Sequence, residues 1–153
     1  MLAAAASLAV PLAACQPAGS ASVTLDRSPA GLEQLPLTIT TAARRTHKFV
    51  VEVARSPAEQ QRGLMFREVL APDRGMIFPY SPPESVAFWM KNTMIPLDMV
   101  FIRTNGTIAR IEANAVPLSE EPVPAGEPVA AVLELAGGRA AELGIAAGDK
   151  VTW

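Results

Sequence analysis

Phe88-Trp89-Met90-Lys91-Asn92-Thr93-Met94-Ile95-Pro96-Leu97-Asp98 joins two apolar, strand-like runs through a short polar turn and closes on a carboxylate. A turn that only had to be soluble would not need a Trp, a Lys and an Asp at its corners. Residues 86–90 read as a first central strand. Pro96 biases Ile95 toward an extended backbone, and residues 97–103 read as the second strand. Asn105-Gly106, two residues that tolerate positive φ, marks a hairpin, and residues 107–114 return as a third strand.

Outward from this block the chain continues in short pieces. Residues 37–40 and 49–53 are β-branched runs on either side of Arg44-Arg45-Thr46-His47-Lys48, and they read as a hairpin with a solvated basic tip. Ser56-Pro57-Ala58-Glu59 places a capping serine, a first-turn proline and an acid at the third position, so a helix is expected over 57–65. Asp73-Arg74-Gly75 turns into a strand at 76–78. A Pro-rich surface connection at 117–128 leads to a strand at 129–135, one or two helical turns at 137–144 and a last strand at 150–153. Many short strands, two small helices and closely spaced turns predict a mainly β, antiparallel sandwich or small barrel.

Residues 1–25 carry no Lys, Arg, Asp or Glu, and residues 2–14 form an Ala/Leu-rich run ending at Cys15, the single cysteine. That run is shorter than the roughly 20 apolar residues a membrane helix needs, and it fits the apolar region of a signal peptide. Leu12-Ala13-Ala14-Cys15 looks like a bacterial lipobox. Residues 1–14 therefore read as an N-terminally incomplete signal peptide, because the usual basic start is reduced to Met1-Leu2. Cys15 reads as the lipidated residue that ties the chain to a bacterial membrane, residues 15–35 as a Pro/Ala/Gly/Ser-rich tether, and residues 36–153 as a single domain. The expected location is the cell envelope, facing the periplasm. With Cys15 used for lipid, neither a disulfide nor a thiolate metal site is expected.

A net charge of −2 and a pI near 5.4 give no electrostatic footprint for nucleic acid. Acidic residues are scattered one at a time, so no metal site is expected, and no cofactor motif is visible. Glu134, between Leu133 and Leu135, reads as the solvent side of a strand, and Asp149 as a turn residue.

The Asn105-Gly106 hairpin permits two registers. A two-residue loop places Asp98 opposite Ala113; a three-residue loop places Arg103 opposite Thr107 and Asp98 opposite Glu112. The second gathers Leu97, Met99, Phe101, Ala109, Ile111 and Ala113 on one face and is favoured for that reason. Asp98 and Glu112 would then share the other face. A carboxylate there needs a partner, and Lys91, Arg62 or Arg67 is the expected one, with Asn92 and Thr93 adding hydrogen bonds.

Arg62-Gly63-Leu64-Met65-Phe66-Arg67, Phe88-Trp89-Met90-Lys91-Asn92-Thr93, Ile95-Pro96-Leu97-Asp98, Val132-Leu133-Glu134-Leu135 and Gly148-Asp149-Lys150-Val151 together resemble the domain-of-unknown-function 192 family. The resemblance spans about residues 51–151 and implies a jelly-roll-like β-sandwich; it brings no reaction and no catalytic residues.

Three functional readings follow. In the first, a binding or accessory module of the envelope uses Trp89 with Phe88 or Tyr80 as an apolar platform. Lys91, Asn92, Thr93, Asp98, Glu112, Arg62 and Arg67 would be its polar contacts for a saccharide or cell-wall peptide. In the second, Asp98 and Glu112 form the acid/base pair of a hydrolase acting on envelope glycans. In the third, the chain is a purely structural lipoprotein in which Trp89 and Asp98 serve only the fold. The sequence leans away from an enzyme, since it holds one His and one Cys and no nucleophile constellation. It does not specify an oligomeric state.

Overall fold

The computed structural model describes residues 27–153. The expected signal segment, Cys15 and the tether as far as residue 26 lie outside the described residues. The elements run β1 (Gln34–Thr40), β2 (Thr46–Val53), α1 (Pro57–Arg62), β3 (Arg74–Glu84), β4 (Ala87–Phe88), β5 (Leu97–Ile102), β6 (Ile108–Ala115), β7 (Val123–Pro124), β8 (Val129–Ala136), α2 (Arg139–Leu143) and β9 (Lys150–Thr152). Ordered strand thus starts at Gln34, two residues before the expected domain start.

Seven strands form one sheet in the order β6-β5-β8-β3-β2-β1-β9, curled into a half-barrel, while β4 and β7 make a separate two-stranded ribbon. The mainly β reading holds, in its barrel-like form. Neighbouring strands are antiparallel except β2 and β3, which are parallel. That pair requires a crossover, and α1 with the chain after it supplies one. At the sheet's ends, Thr107 bridges to Lys150 and the Val151 N–H donates to the Gly106 carbonyl at 2.8 Å, which draws β6 toward β9.

Both faces of the central strands are covered. Alternation along each strand sends Ile39, Val51, Ile77, Val100, Leu133 and Val151 to one buried cluster. It sends Met76, Phe78, Leu97, Met99, Phe101 and Val132 to the other, where Leu64, Met90 and Ala125 pack over them. All six residues of β5 are buried.

Residues 86–90 do not form a central strand. Only Ala87 and Phe88 pair, and they pair with β7. Val86, Phe88 and Met90 pack instead against the second cluster. The 97–114 hairpin combines the two expected registers instead of keeping the favoured one throughout, its central pairs falling in the register that sets Asp98 opposite Ala113. Next to the turn, the Arg103 N–H donates to Thr107 at 2.9 Å and Gly106 donates back to Arg103, as in the three-residue loop. One irregularity then moves Phe101 opposite Arg110 and Met99 opposite Glu112, and a second moves Leu97 opposite Ala115. Bulges of this kind re-aim side chains at the cost of ladder bonds. Here the first lets the Arg110 guanidinium sit 5.1 Å from the Phe101 ring centroid while bonding Glu112.

The second irregularity serves Asp98. Its carboxylate is fully buried and accepts three backbone N–H bonds: from Asn114 at 2.9 Å, Gly138 at 2.9 Å and Ala140 at 2.8 Å. Asn114 and Gly138 reach it with positive φ of 51° and 81°. None of the expected partners reaches it: Lys91 pairs with Glu120, Arg67 with Glu52, and Arg62 lies over the Phe66 ring at 5.8 Å. Asp149 does the same at the other end, accepting from Ala42 and Ala146 at 2.8 Å each.

Replacing Asp98 by Asn keeps the shape but puts an amide N–H₂ among three donors. We expect a loss of about 2–3 kcal/mol, measured as a lower urea midpoint; an unchanged midpoint would show that the three bonds do not hold β5, β6 and α2 together.

Candidate functional site

The site lies on the second cluster's side of the sheet, between α1 and the chain that follows β4. Ser56 caps α1 in a reciprocal box with Glu59. Gly63 ends the helix at φ 46°, where a Cβ would come within 3.3 Å of the Phe78 ring. That close approach lets Leu64 and Met65 drop onto the sheet. The Phe66 N–H then donates to the Asn92 carbonyl at 2.9 Å, and the Asn92 amide nitrogen donates to the Met65 sulfur at 3.8 Å. Thr93 is buried, its N–H on the Met90 carbonyl at 3.0 Å and its hydroxyl on the Lys91 carbonyl at 3.2 Å. The two segments are stitched together at one edge and part above the sheet.

The space between them is a pocket of about 250 Å³, with Arg62 and Met65 on one wall, Phe88 and Trp89 on the other, and Phe78 and Glu134 at its base. Phe88 is set edge-on to Phe78, ring centroids 5.0 Å apart at 88°. Trp89 stands at the mouth, 44% exposed, and the Lys91 ammonium sits 5.1 Å from its ring centroid.

Glu134 belongs to β8 and is 4% exposed. Its cross-strand neighbours are Met76 and Met99, which offer no donor. Its Oε2 has no hydrogen-bond partner among the described residues. Burial pushes its pKa up to about 8, so it carries its proton at neutral pH. Nearby Tyr80 is pushed up to about 12 by burial and by the charges of Glu84 and Glu134.

Sequence reading gathered some of this and missed its base. Arg62, Trp89, Lys91, Asn92 and Thr93 do converge around the pocket or its neighbouring depression. Arg67 turns away to pair with Glu52. Glu112 pairs with Arg110 beside a different depression, near Met90 and Val123. The expected Asp98–Glu112 pair does not form: Met99 opposes Glu112, and both Asp98 oxygens are held by backbone N–H groups. Tyr80 packs against the same core but does not line the pocket, so Phe88 is Trp89's apolar companion. Glu134 is not on a solvent side. The signal for it was the run Val129 to Ala136, apolar at both parities except for Glu134; such a run describes a strand buried on both faces, with no solvent side to offer.

The profile of the DUF192 family, described as an uncharacterized ACR, matches residues 38–153. Two solved structures are similar over most of the chain. One, titled a putative transcription regulator from Sinorhizobium meliloti 1021, is 45% identical with a TM-score of 0.78, covering 79% of this chain and 94% of its own. The other, a protein of unknown function from Novosphingobium aromaticivorans DSM 12444, is 45% identical with a TM-score of 0.82, covering 92% and 100%. No curated protein matches.

Because the folded chain keeps a proton that the unfolded chain releases at an ordinary carboxyl pKa, Glu134 withdraws stability as pH rises from roughly 4.5 to 8. The full loss is on the order of 5 kcal/mol. Melting curves from pH 5 to 9 should show this decline in the wild type and a flatter profile in Glu134→Gln, with the variant more stable at pH 9. Parallel profiles would mean that Glu134 ionises without penalty.

Proposed function

The chain belongs to the DUF192 family, and from that premise we propose that it is a binding module whose small ligand enters the pocket above Glu134. The observation that carries this reading is the buried carboxyl with a free oxygen at the base of an aromatic-walled pocket. Pockets that combine apolar walls with a few convergent polar groups are the usual form of a ligand site. Three of the sequence blocks that resemble the family, at 62–67, 88–93 and 132–135, meet there. Arg62 and Glu134 are the ionisable side chains in the lining. A glycan hydrolase uses two carboxyl groups about the scissile bond, so binding is favoured over catalysis. The ligand is a small polar molecule with an apolar side, in keeping with a saccharide or a cell-wall peptide.

The same reading places the chain in the cell envelope, exported and held to the periplasmic face of a bacterial membrane through lipid on Cys15. The apolar run at 2–14 and Leu12-Ala13-Ala14-Cys15 support it. The regulator title of the Sinorhizobium relative does not transfer readily to this chain, since a net charge of −2 offers no nucleic-acid footprint.

Titrating the full-length chain with oligosaccharides and cell-wall peptides, followed by amide NMR, should shift Gly63, Phe88, Trp89 and Thr93 together. Trp89→Ala should weaken that binding about tenfold. Shifts confined to another surface, or none, would overturn the pocket assignment. Labelled palmitate should enter the wild-type chain in a bacterial host and not Cys15→Ser; an unlabelled wild type would end the anchoring proposal.

A further inference from the structure

The pocket's polarity is directional, and it narrows the ligand class. At the base, Glu134 has an oxygen with no donor, between two methionines. Among the described residues no Lys, Arg or His forms an ion pair with it, whereas the buried carboxylates of Asp98 and Asp149 are each held by backbone N–H groups. The walls carry the Phe78 and Phe88 rings and, at the mouth, Trp89. Trp89 already holds one alkylammonium, that of Lys91, at 5.1 Å, so the aromatic wall is chemically suited to cations. Arg62 lines the pocket and makes no ion pair among the described residues, whereas Lys91, in the neighbouring depression, pairs with Glu120 at 3.2 Å.

Resting on the binding reading above, we infer that the ligand is a zwitterion that inserts a primary amine toward Glu134 and leaves an acid group outside against Arg62. The amine supplies N–H donors to the Glu134 oxygen that has none, and the carboxylate finds the planar fork of a guanidinium. A ligand in the opposite orientation would set its amine against the Arg62 charge.

Insertion of an ammonium requires Glu134 to ionise, so binding releases one proton from the Glu134 carboxyl to solvent. The charged and titratable groups near Glu134 are Tyr80 of β3, whose pKa responds to the Glu134 charge, and Arg62 of α1, which lines the same pocket. Tyr80 is held neutral by its raised pKa. Affinity for an amine should therefore rise about tenfold per pH unit below pH 8 and level off above it.

The test uses the full-length chain and four probes of equal length: 4-aminobutyrate, n-butylammonium, butyrate and n-butanol, titrated from pH 6 to 9 and read at the pocket amides by NMR. Both amines should bind at least tenfold more tightly than butanol or butyrate, with 4-aminobutyrate ahead of butylammonium. Arg62→Ala should remove that advantage, and Glu134→Gln should weaken both amines tenfold or more while leaving the rest of the spectrum in place. Should Glu134→Gln fail to fold, the wild-type pH series decides alone. Butanol or butyrate matching the amines, or amine affinity that is flat in pH, would overturn the amine class and leave the pocket as a ligand site. If none of the four perturbs the pocket, the amine inference fails, while the binding reading stands or falls with the oligosaccharide and peptide titration above.

Discussion

A sheet covered on both faces leaves a carboxyl group no route to water, and this chain buries two of them on adjacent strands. Asp98 of β5 faces one layer and Glu134 of β8 the other, one register step apart. A buried carboxylate must be hydrogen-bonded, paired or neutralised. The two residues take different routes. Asp98 is surrounded by backbone donors from β6 and from both sides of the start of α2, and its neighbourhood is closed. Glu134 keeps its proton, and its neighbourhood opens on a pocket.

Much of the architecture follows from holding these two positions. The irregularity at the end of β6 exists where Asn114 must turn its N–H onto Asp98, so the hairpin register, the turn before α2 and the approach of β6 to β5 are set together. On the other face, the parallel pairing of β2 with β3 forces a crossover above the sheet. Gly63 lets that crossover descend on Phe78, and the bond from Phe66 to Asn92 fixes its distance from the loop carrying Trp89. The pocket is the gap these constraints leave above Glu134.

The sequence disclosed the elements better than their partners. The capping box at Ser56, the 105–106 hairpin and the helical turns expected within 137–144 are local signals, and each was legible because local geometry decides it. The position of β4 was not, since residues 86–90 have strand composition and only tertiary competition sends them over the sheet. The register of β5 on β6 was misjudged because an alternation argument assumes no bulge. Trp89, Lys91, Asn92 and Thr93 were found from the oddity of their turn. Glu134 was read as solvated because its neighbours Leu133 and Leu135 were taken to face the single core, whereas this sheet has two.

The account stands on Glu134 being a neutral acid open to a ligand pocket. Carbon-13 NMR of the Glu134 side-chain carboxyl, followed through a pH titration of the full-length chain, addresses this directly. An inflection near the expected value of about 8 would place a protonated carboxyl at the base of the pocket. An inflection in the ordinary range of about 4 to 5 would mean that water or a cation reaches the group, and would contradict the account.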